Sequence, residues 1–140
     1  MIDNNRLNHI IAVARLMKET CIKNNCENTY IEEMFILGYV HDVGYEFIEN
    51  ANHNEKGGLI LKEQNYKYFN EVKYHGVPNC EYHSKELDLL NWADMHIDGK
   101  GQYVTFEQRL SDIAKRRGKQ SEEYIKSTMI IDELKAKGYY

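Results

Sequence analysis

Proline is nearly absent from this chain: of its 140 residues, only Pro78 is one. Little therefore interrupts long helices, and no segment carries the sustained period-two alternation of a half-buried strand. Cysteine is scarce as well. Cys21, Cys26 and Cys80 are odd in number and form no Cys-x-x-Cys pair, which speaks against a disulfide framework and fits a reduced, intracellular compartment. No apolar run is long enough to span a bilayer. The stretch Met1-Ile2-Asp3-Asn4-Asn5-Arg6 has no basic region followed by an apolar one, so no signal peptide and a cytoplasmic location are expected. A basic excess is also missing. Lys and Arg number 18 against 22 Asp and Glu, a net charge of −4. That balance disfavours binding to a nucleic-acid polymer, but it leaves room for small phosphates held by a few local cations.

What is present points to helices. Hydrophobic residues make up 42% of the chain, enough for a real core in a single domain over 1–140. Leu7, Ile10, Ile11, Ala14, Met17 and Cys21 fall at three-to-four spacing and predict a helix over 4–24. A second is expected from Asn28-Thr29 into Gly44, a third from after Asn52-His53-Asn54 to near Asn65, and a fourth over 66–75, stopped by Gly76-Val77-Pro78. Ser84 starts a fifth with Leu87, Leu90, Ala93 and Asp94. Gly99-Lys100-Gly101 reads as a loop. Thr105 with Gln108 reads as a capping box for a sixth helix ending at Gly118. Ser121 caps a seventh, with Tyr124, Ile125, Met129, Ile130 and Leu134 as its apolar face. The expected fold class is a compact all-α bundle of six or seven helices.

Within this pattern His41 and Asp42 stand side by side in the apolar run Phe35–Tyr45. Burying an imidazole and a carboxylate unpaired costs several kcal/mol, and a divalent cation would satisfy both. His9, His53, His75 and Asp94 are the same residue types, each on or beside a predicted helix, and helices of a bundle can project ligands into one cavity. Neighbours in a helix point about 100° apart, so His41 and Asp42 share an ion most easily near a helix end. His83 and His96 are not expected to be ligands. His83 lies in a polar stretch, and His96 is about 200° around the helix from Asp94.

The order of a lone His, an adjacent His-Asp and a distant Asp resembles the HD-domain superfamily of metal-dependent phosphohydrolases, over about residues 6–98. Asn8–Ala14 around His9, Gly38-Tyr39-Val40-His41-Asp42-Val43-Gly44, and Trp92-Ala93-Asp94 carry the resemblance. It implies that His9, His41, Asp42 and Asp94 ligate one metal, with His41 and Asp42 at the catalytic centre. His53-Asn54-Glu55-Lys56-Gly57 and Tyr74-His75 extend it. They imply a second ion on His53 and His75, with Asp42 bridging the two. At one position the chain departs from the pattern: Tyr45 stands where many members have Lys.

The activity so implied is hydrolysis of a phosphate ester or anhydride of a nucleotide or related small molecule by metal-activated water. Mixed His and carboxylate ligands suit one or two ions of iron, manganese, cobalt, nickel or zinc. Candidate substrate-binding cations are Arg6, one turn before His9; Lys56, one turn after His53; and Lys100 in its glycine loop. Arg109, Arg116 and Arg117 lie on the sixth helix, and Glu46 and Glu49 follow the signature as candidate acids or bases. Two other readings remain open: a diiron oxygenase of the same architecture, and a nucleotide-binding domain that turns nothing over.

Overall fold

The structure is a computed structural model that describes residues 2–46 and 53–140. Among the described residues it is all-helical. Seven α-helices follow in chain order: α1 (Asn4–Lys23), α2 (Asn28–Val40), α3 (His53–Glu63), α4 (Phe69–Tyr74), α5 (Lys85–Met95), α6 (Phe106–Arg117) and α7 (Glu122–Ala136). A single 3-10 turn covers Val43–Glu46, and one isolated bridge pairs Ile97 with Tyr103. No helix among the described residues is long and apolar enough to cross a membrane. All three cysteines are free thiols.

The helix starts follow local chemistry. Asp3 and Ser84 accept backbone N–H bonds at the starts of α1 and α5. At α6, Thr105 and Gln108 form the reciprocal capping box, and Ser121 caps α7. The ends need residues that tolerate left-handed backbone: Asn25 follows α1, and Gly118, at φ +92°, closes α6.

Three expectations are corrected. The second helix stops at Val40 rather than running into Gly44, because the chain tightens there and the Tyr45 N–H bonds the Asp42 carbonyl. The fourth is only Phe69–Tyr74. On α1 and α7 the buried stripe is rotated from the one expected: Val13 replaces Leu7 in the core, and Ile131 replaces Ile125 and Met129, which are exposed.

Two cores result. The larger joins Val13, Met17, Met34, Leu37, Val72, Leu90 and Ala93, from α1, α2, α4 and α5. The smaller joins Met95, Phe106, Ile130, Ile131 and Leu134 of α5, α6 and α7, and Trp92 packs against both. Each fully buried aliphatic side chain contributes about 1.5–3 kcal/mol. The crossing of α1 and α2 is close because Gly38 has no side chain: a Cβ there would stand 2.6 Å from the Ala14 Cα. His9 and His41 each lie about one turn from that crossing, so close helix packing brings them together.

Candidate metal centre

All six sequence-identified ligands converge. His9 comes from α1, His41 and Asp42 from the chain just past α2, His53 from the first residue of α3, His75 from the residue after α4, and Asp94 from the end of α5. His9, His41, Asp42, His75 and Asp94 are buried, and His53 is half-buried. Two groups of three have ligand atoms within 4.8 Å of one another: His9, His41 and Asp42, and Asp42, His53 and His75. Asp42 belongs to both and divides its oxygens between them. Oδ2 stands 3.2 Å from His41 Nε2 and 3.8 Å from His9 Nε2, while Oδ1 stands 3.1 Å from His53 Nε2 and 3.3 Å from His75 Nε2. Asp94 closes the first group, its Oδ1 2.8 Å from His9 Nε2 and 3.4 Å from His41 Nε2.

The end of α2 at Val40 makes this possible. His41 and Asp42 lie just past the last helical turn, where the chain turns toward α3. Gly44 has a different role from the helix stop expected of it. A Cβ on Gly44 would come within 1.7 Å of the His53 carbonyl oxygen, so glycine here lets the start of α3 close onto the 3-10 turn and carries His53 inward.

Each ring is aimed from behind. His9 Nδ1 bonds the Asp98 carbonyl at 2.9 Å, His41 Nδ1 the Gly38 carbonyl at 2.6 Å, and His75 Nδ1 the Val72 carbonyl at 2.5 Å. A carbonyl only accepts, so each Nδ1 carries a proton and each Nε2 is turned toward the Asp42 and Asp94 carboxylates. This is the outer-shell arrangement found behind metal-ligating histidines. His53 Nε2 and His75 Nε2 lie 3.3 Å apart. The buried His41 Nε2 has no hydrogen bond of good geometry despite its two carboxylate neighbours. Imidazole nitrogens crowded around two carboxylates could hold a cation, and this donor set fits a metal ion.

The electrostatics agree. Burial acts to lower His41, but Asp42 and Asp94 outweigh it and push its pKa up to about 10. Burial acts to raise Asp42, yet His41, His53 and His75 hold it well below the usual carboxylate range. Asp94 is held low in the same way by His41 and His9. Without a metal, a proton on His41 supplies the positive charge that this cluster attracts.

Residues that sequence reading passed over position the ligands. Asn54 donates to the Lys73 carbonyl at 2.7 Å, tying the start of α3 to the end of α4 and so His53 to His75. Asn91 Oδ1 accepts the Gly76 N–H at 2.9 Å and anchors the turn behind His75 from α5. Asn91 is one turn before Asp94, and Asn54 is next to His53. Those spacings were the available signal.

The centre opens into a cavity of about 260 Å³ that reaches His9, Asp42, His53, His75 and Asp94 and is also lined by residues of α6 and α7. Among the expected substrate cations, Arg6 lines it, with Nη1 3.3 Å from Asp42 Oδ2. The Arg6 guanidinium lies over the Tyr45 ring, 3.7 Å from its centre, and Tyr45 stacks on His53 at 3.9 Å. Tyr45 thus orders both Arg6 and His53, and burial pushes its own pKa up to about 12.

Lys56 is exposed on α3 and does not line the cavity. Lys100 lies along a separate surface hollow with Asn8, Arg15 and Glu19. Its loop packs on α1, where a Cβ on Gly101 would stand 2.7 Å from the Asn8 carbonyl oxygen, and its Asp98 carbonyl holds His9. Arg109, Arg117 and Lys126 line the cavity instead. Arg116 pairs with Asp112, and Glu46 and His83 are exposed. His96 is buried outside the cavity, stacked on Tyr103 and Phe106 with Nδ1 bonded to the Val104 carbonyl. Glu49 lies outside the described residues. Comparisons of the chain with protein families, with curated proteins and with solved structures found no match.

Proposed function

We propose that the chain is a metal-dependent phosphohydrolase of the HD-domain type. It would cleave a phosphate ester or anhydride of a small, nucleotide-like molecule, with two divalent transition-metal ions at the centre. One observation carries this reading: two ligand triads share Asp42 at the floor of a cavity whose walls bear arginine and lysine. His9, His41, Asp42 and Asp94 would hold one ion, and Asp42, His53 and His75 the other. Such ions lower the pKa of water toward neutrality and offset charge on phosphoryl oxygens.

The chain's own residues support the same chemistry. The backbone carbonyls of Asp98, Gly38 and Val72 fix three imidazoles, so little reorganisation accompanies ligand binding. Arg6 lies half-buried against Asp42 and Tyr45 beside the centre, where its fork of donors suits a phosphoryl oxygen. A volume of about 260 Å³ falls just below the usual range for ligand pockets, about 300–1,000 Å³. That favours a compact phosphorylated molecule over a polymer.

The test is elemental analysis of protein purified without chelator, joined to a phosphate-release screen with and without oxygen. The expected result is about two ions per chain, with phosphate release that a chelator abolishes and added metal restores. Oxygen uptake without phosphate release would replace this reading with the diiron oxygenase. A nucleotide that binds and stays intact in the metal-loaded protein would replace it with a binding domain.

A further inference from the structure

We infer that Arg109 forms an anion subsite in the wall of the cavity, taking a phosphate or carboxylate group that the substrate carries besides the phosphoryl group at the His/Asp centre. The substrate class is then a small molecule with two anionic groups. This rests on the proposed hydrolase reading for the identity of the site, but not for the anion itself.

The argument starts from α6. Phe106, Arg109 and Ile113 are its buried residues, spaced three and four apart on one face. Phe106 and Ile113 are what such a face requires. Arg109 is not: it is only 7% exposed, and its Nε and Nη1 are buried without a hydrogen-bond partner among the described residues. The closest carboxylate oxygen, Asp112 Oδ2, stands 3.7 Å from Nη1, beyond hydrogen-bonding distance, and the same oxygen is 3.3 Å from Arg116.

Buried charges are normally paired and hydrogen-bonded, and the other arginines and lysine of this cavity stand closer to a carboxylate than the 3.7 Å between Arg109 and Asp112. Arg6 meets Asp42 at 3.3 Å, Arg117 meets Glu123 at 3.2 Å, and Lys126 meets Glu122 at 2.7 Å. Arg109 therefore stands out as a desolvated guanidinium in the cavity wall, where, among the described residues, Nε and Nη1 lack hydrogen bonds and the one carboxylate neighbour, Asp112, stands 3.7 Å away and is shared with Arg116. A planar fork of this kind matches the paired oxygens of phosphate or carboxylate. Arg109 reaches the cavity from α6, whereas Arg6 comes from α1 and already touches the centre, so the two guanidiniums serve different groups of one ligand.

The experiment uses the full-length protein, both metal-loaded and chelator-treated, titrated with inorganic phosphate and with succinate. Affinity is read by calorimetry and Tm by thermal unfolding. In the chelator-treated protein, phosphate should bind and raise Tm. Arg109→Met should weaken that binding at least about tenfold while leaving the ligand-free Tm equal to or above that of the unsubstituted chain, because an unsatisfied buried charge has been removed. Arg109→Lys keeps the charge and loses the fork, so it should fall between.

If succinate rather than phosphate shows the Arg109 dependence, the subsite holds and its occupant is a carboxylate. Unchanged affinity for both anions in Arg109→Met overturns the proposal. So does a Tm well below that of the unsubstituted chain with anion binding intact, which would mark a structural arginine. Should Arg109→Met fail to fold, anion affinities in Arg109→Lys equal to those of the unsubstituted chain overturn it. Arg109-dependent anion binding in a protein that takes up no metal would sink the hydrolase reading and keep the subsite. Metal uptake and phosphate release with no Arg109 dependence would do the reverse.

Discussion

The two triads around Asp42 are built differently. His9 and His41 come from α1 and from the chain just past α2, helices that pack so closely that Gly38 lies against Ala14, and both rings are buried against the larger core. His53 and His75 come from two short helices joined through Asn54, and the His53 side chain remains 17% exposed. The first triad is therefore fixed by helix packing. The second depends on a few polar links and on the absence of a side chain at Gly44. A ligand set within a packed helix, as His9 is, holds its geometry without the metal, whereas ligands at the ends of short helices rely on local hydrogen bonds that open more readily.

The largest effect should come from removing what the triads share. Asp42→Asn takes away the carboxylate charge from both sides, and elemental analysis should show metal content falling from about two ions per chain to nearly none, with phosphate release lost.

Single-sided changes test the asymmetry. His53→Ala should leave about one ion per chain, whereas His9→Ala should lose the tighter ion and also lower Tm, since it leaves a void in a buried site. Equal losses in both variants would remove the distinction between the triads. Gly44→Ala should destabilise the fold by about 1–3 kcal/mol, the usual cost of overpacking, and should weaken only the second ion. Denaturant unfolding and metal titration measure the two effects. Asn54→Ala removes an orienting bond rather than a ligand, so the affinity of the second ion should fall about 10–100-fold with the first unchanged.

The smallest effect per step is that of pH. In the metal-free protein the His41 pKa is raised to about 10 by Asp42 and Asp94 against the effect of burial, so His41 carries a proton at neutral pH. An ion must displace that proton. Affinity for the first ion should therefore rise with pH, by up to about tenfold per unit for one proton released, and level off above about pH 10. Asp42 and Asp94 are held low and remain ionised across this window, so they add no proton competition. Calorimetry in buffers of different ionisation enthalpy counts the protons released, and a flat profile between pH 6 and 9 would contradict the assignment.

Much of this was legible in the chain. The scarcity of proline and the three-to-four spacing of apolar residues specify helices through local geometry. Ser84, Thr105-Gln108 and Ser121 mark helix starts because a cap is a contact between residues three apart. His41 and Asp42 could be named as candidate ligands because an imidazole and a carboxylate in an apolar run are costly without a partner; His9, His53, His75 and Asp94 followed from their residue type and their order along the chain. The substrate cations were not legible in the same way. Arg6 shares a helix face with His9 and lines the cavity. Lys56 satisfies the same spacing rule relative to His53, yet it is exposed, because His53 is the first residue of α3 and i, i+3 spacing does not fix where a long side chain ends. Asn54 and Asn91 gain their roles only from partners far along the chain, the Lys73 carbonyl and the Gly76 N–H.

The sequence by itself determined the helical class, the helix starts and the residue types of the candidate metal centre, since these depend on residue type and on contacts within a turn or two. Tertiary structure decided where the second helix yields to the 3-10 turn, which oxygen of Asp42 serves which pair of histidines, and that α6 turns a guanidinium rather than an aliphatic side chain toward the cavity. Those outcomes depend on how closely distant helices approach, and close approach is set by packing across the whole core rather than by any local run of residues.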